Sequence, residues 1–96
     1  MLTIANLMSW EDVSYVLRSK IRRAVLTKLE TPKTPTLLAQ ELHTSLPTIS
    51  RALRELLSNT LVESLTPKVR SGKLFVASKE GRQVSSKVKE ISEAKV

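Results

Sequence analysis

Residues 42–56 read LHTSLPTISRALREL, where Thr44, Ser45, Thr48 and Ser50 supply short hydroxyls and Arg51 and Arg54 supply guanidinium forks. A hydroxyl both donates and accepts a hydrogen bond, and an arginine fork matches two acceptors side by side, as on a phosphate or on guanine O6 and N7. The chemistry on offer is recognition of an acceptor-rich, anionic surface. Bond making is not provided for. The chain has no cysteine, one histidine (His43) and two glycines, so it lacks a thiolate metal site, a nucleophile with an oriented base, and a glycine-rich phosphate loop. A binding module without metal or cofactor is expected, not an enzyme. At 96 residues the chain suits one compact domain that buries about 60–65% of its unfolded surface, too little for a large enclosed substrate cavity.

Charge placement points the same way. The net charge is +7, and residues 18–33 hold six basic side chains against Glu30 while residues 68–89 hold seven against Glu80. Two basic blocks around a near-neutral middle suit a polyanionic partner. No apolar run approaches the roughly 20 residues that span a bilayer, and the first residues carry neither a basic leader region nor a clear cleavage site. A cytoplasmic protein without membrane contact is expected.

Elements must position these groups, and the punctuation locates them. Ser9, followed by Glu11 and Asp12, caps a first helix with Trp10, Val13, Val16 and Leu17 roughly on one side. Ser19 caps KIRRAVLTKLE, whose Ile21, Val25 and Leu29 face inward while Arg18, Lys20, Arg22, Arg23 and Lys28 stay outside; Pro32 stops it. Thr34-Pro35 starts PTLLAQEL with Leu38, Ala39 and Leu42 inward. A helix over residues 45–57 follows, with Ile49, Leu53 and Leu56 on its back. Pro47 disfavours a helical Leu46, which leaves the start at Ser45 or Pro47. Residues 61–66 and 73–78 are β-prone runs joined by PKVRSG, a hairpin with a basic tip. Ser78 caps a last helix with Val84, Val88 and Ile91 in a narrow stripe, weakened slightly by Gly81 in its first turn. The expected fold is mainly α with a β-hairpin, in the order α-α-α-α-β-β-α, as a single domain over residues 1–96.

A small residue where two helices cross (Ala39), a turn four positions later (His43) and a branched residue six further on (Ile49) are the spacing of a helix-turn-helix. With TPTLLAQEL, SLPTISRALREL, LVESLTPKVRSGKLFVAS and KEGRQV in sequence, the chain resembles the winged helix-turn-helix transcription regulators, especially small prokaryotic and archaeal ones of the ArsR/MarR type. The resemblance covers residues 10–88. It departs at His43, where the family usually has a left-handed glycine, and at Thr44, where an aliphatic residue is common. His43 is read as a turn residue rather than a metal or pH sensor, since histidine tolerates positive φ better than most.

The resemblance implies that the helix over 45–57 lies in the major groove of double-stranded DNA, presenting Ser45, Pro47, Thr48, Ser50, Arg51 and Arg54. The wing over 67–73 brings Lys68, Arg70 and Lys73 to the minor groove or backbone, and Arg22 and Arg23 are assigned to phosphates. Terminal apolar residues Leu7, Trp10, Val84, Val88 and Ile91 are assigned to a homodimer that reads a pseudo-palindrome, more in the manner of a repressor because no activation segment is visible. The absence of cysteine sets aside thiolate metal sensing, and no small-molecule effector is identified. Two alternatives stay open: a winged-helix interaction module in a transcription or replication complex, and a nonspecific architectural DNA binder. RNA or single-stranded binding, which needs exposed aromatics for stacking, is disfavoured because at least two of Trp10, Tyr15 and Phe75 are expected in the core.

Overall fold

In the computed structural model the described residues are 10–70 and 72–94. They form α1 (Trp10–Leu17), α2 (Lys20–Lys28), α3 (Pro35–Glu41), α4 (Leu46–Ser58), β1 (Val62–Ser64), β2 (Phe75–Ala77) and α5 (Lys79–Ala94). The caps explain where the helices begin. Backbone N–H groups of the first turn have no helical acceptor, and side-chain oxygens take them up: Ser19 Oγ from Arg22 at 3.2 Å, Thr34 Oγ1 from Leu37 at 3.2 Å, Ser45 Oγ from Thr48 at 3.3 Å and Ser78 Oγ from Gly81 at 3.0 Å. Leu46 opens α4 and Pro47 is its second residue, where the missing N–H would have had no intrahelical partner. Ser9, the expected cap of α1, and Leu7 lie outside the described residues.

The helical backs meet in one aliphatic core, with Val25, Leu26, Leu29, Leu38, Ile49 and Leu56 fully buried, each contributing about 1.5–3 kcal/mol by leaving water. Among the described residues no helix is long and apolar enough to cross a membrane. The terminal helices α1 and α5 pack on each other within the chain. Val84 and Val88 are 1% and 2% exposed in the chain's own core, which corrects their assignment to a dimer contact. An apolar stripe reads alike whichever chain covers it, and here Val13 and Val16 share the same core. Trp10 stands out of that core at 62% exposure. Of the three aromatics only Phe75 is buried, Tyr15 being half-buried, so the expectation of two in the core fails.

The hairpin is antiparallel, with Val62 opposite Ala77 and Ser64 opposite Phe75. It runs one rung further, where the Leu65 N–H donates to the Leu74 carbonyl at 2.8 Å. Residues 29–33, expected only to end α2, pair with the far side of β2. Lys33 and Phe75 exchange hydrogen bonds of 3.0 and 2.9 Å, and the Ala77 N–H donates to the Leu29 carbonyl at 2.8 Å. The wing is thereby tied to the end of α2 as well as to α4.

Both helices of the turn motif end alike. At α3, Thr44 N–H donates to Ala39 O at 3.0 Å and His43 N–H to Gln40 O at 3.3 Å, with His43 left-handed at φ 53°. At α4, Leu61 N–H donates to Leu56 O and Thr60 N–H to Leu57 O, both at 3.0 Å, with Thr60 at φ 58°. This closure usually employs glycine, because a side chain in the left-handed region costs about 1–2 kcal/mol and a branched one fits it least. Thr60→Gly is expected to stabilise the protein by about 0.5–1 kcal/mol, net of the greater freedom glycine gives the unfolded chain. Thermal unfolding checks it, and a lower midpoint would show that the Thr60 hydroxyl bond to Asn59 O, 2.6 Å, matters more than the backbone.

Candidate nucleic-acid interface

Along α4 the back is set by Ile49, Ala52, Leu53 and Leu56, all buried. At 100° per residue the opposite face carries Pro47, Arg51 and Arg54, all exposed, with Ser45 and Thr48 exposed at its beginning. Ser45 Oγ and Thr48 Oγ1 lie 2.8 Å apart. One of the two donates to the other, so the pair keeps one O–H and spare lone pairs for an outside partner while Ser45 also caps the helix. Ser50 is half-buried on the side toward the wing.

That side forms a groove of about 480 Å³ between the start of α3, α4 and the wing. Leu46, Leu53, Leu57 and Phe75 line it together with Arg54, Arg70 and Lys73, and no carboxylate lines it among the described residues. The fold thus brings one arginine of α4 and two basic residues of the hairpin to a single groove, joined by Ser50. Like charges around a low-dielectric surface repel one another and focus a positive potential outward. Lys68 lies apart on the exposed tip, next to a turn closed by the Val69 N–H donating to Thr66 O at 3.2 Å.

Arg22 departs from its expected place outside. Its side chain is 15% exposed. The guanidinium lies 3.8 Å over the Tyr15 ring, donates to the Tyr15 carbonyl from Nε at 3.0 Å and Nη2 at 2.8 Å, and meets Glu55 Oε1 from Nη1 at 3.1 Å. It is a rivet joining α1, α2 and α4, with all three guanidinium nitrogens engaged inside the chain. Glu55 gains its role here too: as the one acid on α4, it fixes the helix against α2, and no local sequence signal pairs it with a residue 33 positions away. Arg23 is half-buried and Lys20 exposed.

Two acids elsewhere on the surface are held by lysines. Glu41 is engaged by Lys28 at 3.5 Å and Lys33 at 3.4 Å, and Glu30 by Lys89 at 2.6 Å. On α1, burial and then the charge of neighbouring Glu11 hold the Asp12 carboxyl above its ordinary range. Among the described residues no three His, Cys, Asp or Glu side chains group as metal ligands.

No known family profile matches the chain, and no curated protein sequence does either. Solved structures match clearly. A MarR family transcription regulator superposes with TM-score 0.72 at 24% identity over 80% of this chain and 53% of that one. The transcriptional regulator BldR of Sulfolobus solfataricus gives 0.71 at 23% identity over 79% and 56%. The transcriptional regulator Tm0710 of Thermotoga maritima gives 0.67 at 25% identity over 81% and 60%. The chain therefore has the winged helix-turn-helix fold seen in MarR-family regulators, with α3 and α4 as the helix-turn-helix and β1–β2 as the wing. It spans little more than half the length of the first two of these structures.

Proposed function

From that shared fold, we propose that the chain is a sequence-specific, double-stranded DNA-binding transcription regulator that acts by occupying its site as a repressor. The helix α4 enters the major groove, and the wing over 67–73 follows the minor groove or backbone. One observation carries the reading. The outer face of α4 is polar and cationic, with Arg51 and Arg54 exposed and in no ion pair among the described residues. A winged helix used for protein contact would place apolar or acidic groups there. Ser45, Pro47, Thr48, Ser50, Arg51 and Arg54 are the groove-facing set, and Lys68, Arg70, Lys73 and Arg23 serve phosphates. Arg22 leaves the proposed interface set because its guanidinium is 15% exposed and held by Tyr15 and Glu55.

The reading includes a two-fold dimer that sets two α4 helices about 34 Å apart on a pseudo-palindrome. With Val84 and Val88 internal, Trp10 and the half-buried Ile91 are the members of the expected contact that keep surface for a second chain.

Affinity for a duplex, measured by fluorescence anisotropy across salt concentrations, tests the proposal. Four phosphate contacts per chain give a slope of log K against log salt of about −3.6. Selection from random duplexes is expected to return half-sites about one helical turn apart. Absence of any complex at low salt would sink the reading, and binding without an enriched motif would move it to architectural DNA binding.

A further inference from the structure

Valine points inward in this chain, with one exception. Every other valine among the described residues is buried, whereas Val69 on the wing is 43% exposed. A scattered surface valine is ordinary, but this one stands between Lys68 and Arg70 in residues 66–73, TPKVRSGK, a stretch with three cations and no acid. Neither Lys68 nor Arg70 is in an ion pair among the described residues.

The turn itself does not ask for valine. Val69 N–H donates to Thr66 O at 3.2 Å, which puts Val69 at the fourth turn position, where glycine is favoured. That bond uses its backbone alone. The loop is also held beyond it: Leu65 N–H donates to Leu74 O at 2.8 Å and Leu74 N–H to Thr66 Oγ1 at 3.0 Å, and the ring of Pro67 fixes its own φ. The side chain is therefore carried on a backbone ordered before any partner binds, which lowers the entropy lost on binding. Its place relative to α4 follows from the wing-side groove, which Arg54 of α4 shares with Arg70 and Lys73. A phosphate backbone drawn to these cations separates the major groove that α4 enters from the minor groove beside Val69.

We propose that Val69 lies on the floor of the minor groove and selects A·T over G·C pairs there. The inference rests on the reading of α4 and the wing as the DNA-binding surfaces. In the minor groove A·T and T·A present acceptors only, and G·C adds the guanine N2 amino donor. The side chains of Lys68, Val69 and Arg70 include no acceptor. Against adenine the valine methyl groups meet the C2–H edge, and the acceptors to either side are left to the two cations, which only donate. Against guanine the same methyl groups cover an N–H that water had satisfied, and a buried donor without a partner is costly.

The test is fluorescence anisotropy of the full chain on the selected duplex at one salt concentration. Each pair flanking the half-sites is set in turn to A·T, G·C, inosine·C and 2,6-diaminopurine·T. Inosine·C keeps the major-groove groups of G·C without the amino group, and diaminopurine·T keeps those of A·T and adds it. Beneath the wing, G·C and diaminopurine·T are expected to bind about tenfold more weakly than A·T and inosine·C. Val69→Thr has the same shape with a hydroxyl in place of one methyl group, so it accepts the amino hydrogen and should bring all these duplexes within about twofold of one another. Thermal unfolding should be unchanged, since the residue is exposed. No pair at which G·C is disfavoured, inosine·C as weak as G·C, or a preference that survives Val69→Thr overturns the proposal and leaves the DNA reading standing. No duplex binding at all removes both.

Discussion

Gly81→Ala is expected to destabilise the protein by about 3 kcal/mol, although alanine is the better helix former by about 1 kcal/mol. A Cβ on Gly81 would overlap the Leu61 carbonyl oxygen, with Leu26 Cδ1 3.3 Å away on the other side. The carbonyl is pinned in turn. It accepts the Ser78 N–H at 3.0 Å, while Ser78 Oγ donates to Thr60 O at 2.7 Å and accepts from the Gly81 N–H at 3.0 Å. Leu61 also closes the end of α4, so moving it away from an added methyl group would disturb the cap of that helix and the start of the wing together. For a domain of this size the loss corresponds to a fall in unfolding midpoint of about 12–24 °C. Circular dichroism against temperature measures it. A midpoint raised by the substitution would mean that helix propensity governs the site and that α5 does not press on Leu61.

Gly81 marks the limit of what a chain reveals about itself. From the sequence it is a mildly unfavourable residue in a first helical turn; its necessity comes from a carbonyl 20 positions earlier that only the folded packing brings near. The caps, by contrast, were legible, because Ser19, Thr34, Ser45 and Ser78 act on N–H groups three residues away, although Leu46, expected outside the helix ahead of Pro47, opens α4. So were the buried back of α4, the buried Leu38 of α3 with Ala39 and Leu42 half-buried beside it, and the hairpin, whose periodicity and turn residues are local. Arg22 could not be told from its basic neighbours, since stacking on Tyr15 and pairing with Glu55 depend on how three helices meet. Val84 and Val88 were legible as apolar but not as to which chain covers them. Thr60 gave no sign of a left-handed residue, since the sequence offers there neither glycine nor asparagine. In the site, residue types and facing were readable on α4, but the meeting of Arg54 with Arg70 and Lys73 in one groove was not.

The α4 arginines carry the second large effect. Arg51→Ala with Arg54→Ala is expected to weaken binding to the selected duplex about 100-fold or more, since each bidentate arginine contact to a base contributes about 1–3 kcal/mol. Both side chains are exposed on the face opposite Ile49 and Leu53, so alanine there removes no packing and leaves stability within about 0.5 kcal/mol. The position of α4 is held independently by the Arg22–Glu55 pair at 3.1 Å and by the buried back, so α4 should stay where it is. The pattern of loss separates roles. If Arg51 and Arg54 read bases, the double variant loses discrimination between selected and random duplexes. Lys68→Ala with Arg70→Ala, by contrast, should weaken both duplexes alike and make the salt slope shallower by about 1.8. Equal loss on both duplexes from the α4 pair would reassign those arginines to phosphates and move sequence reading to the Ser45, Thr48 and Ser50 hydroxyls. Unchanged affinity in both variants, with the fold intact, would take α4 and the wing out of DNA recognition altogether.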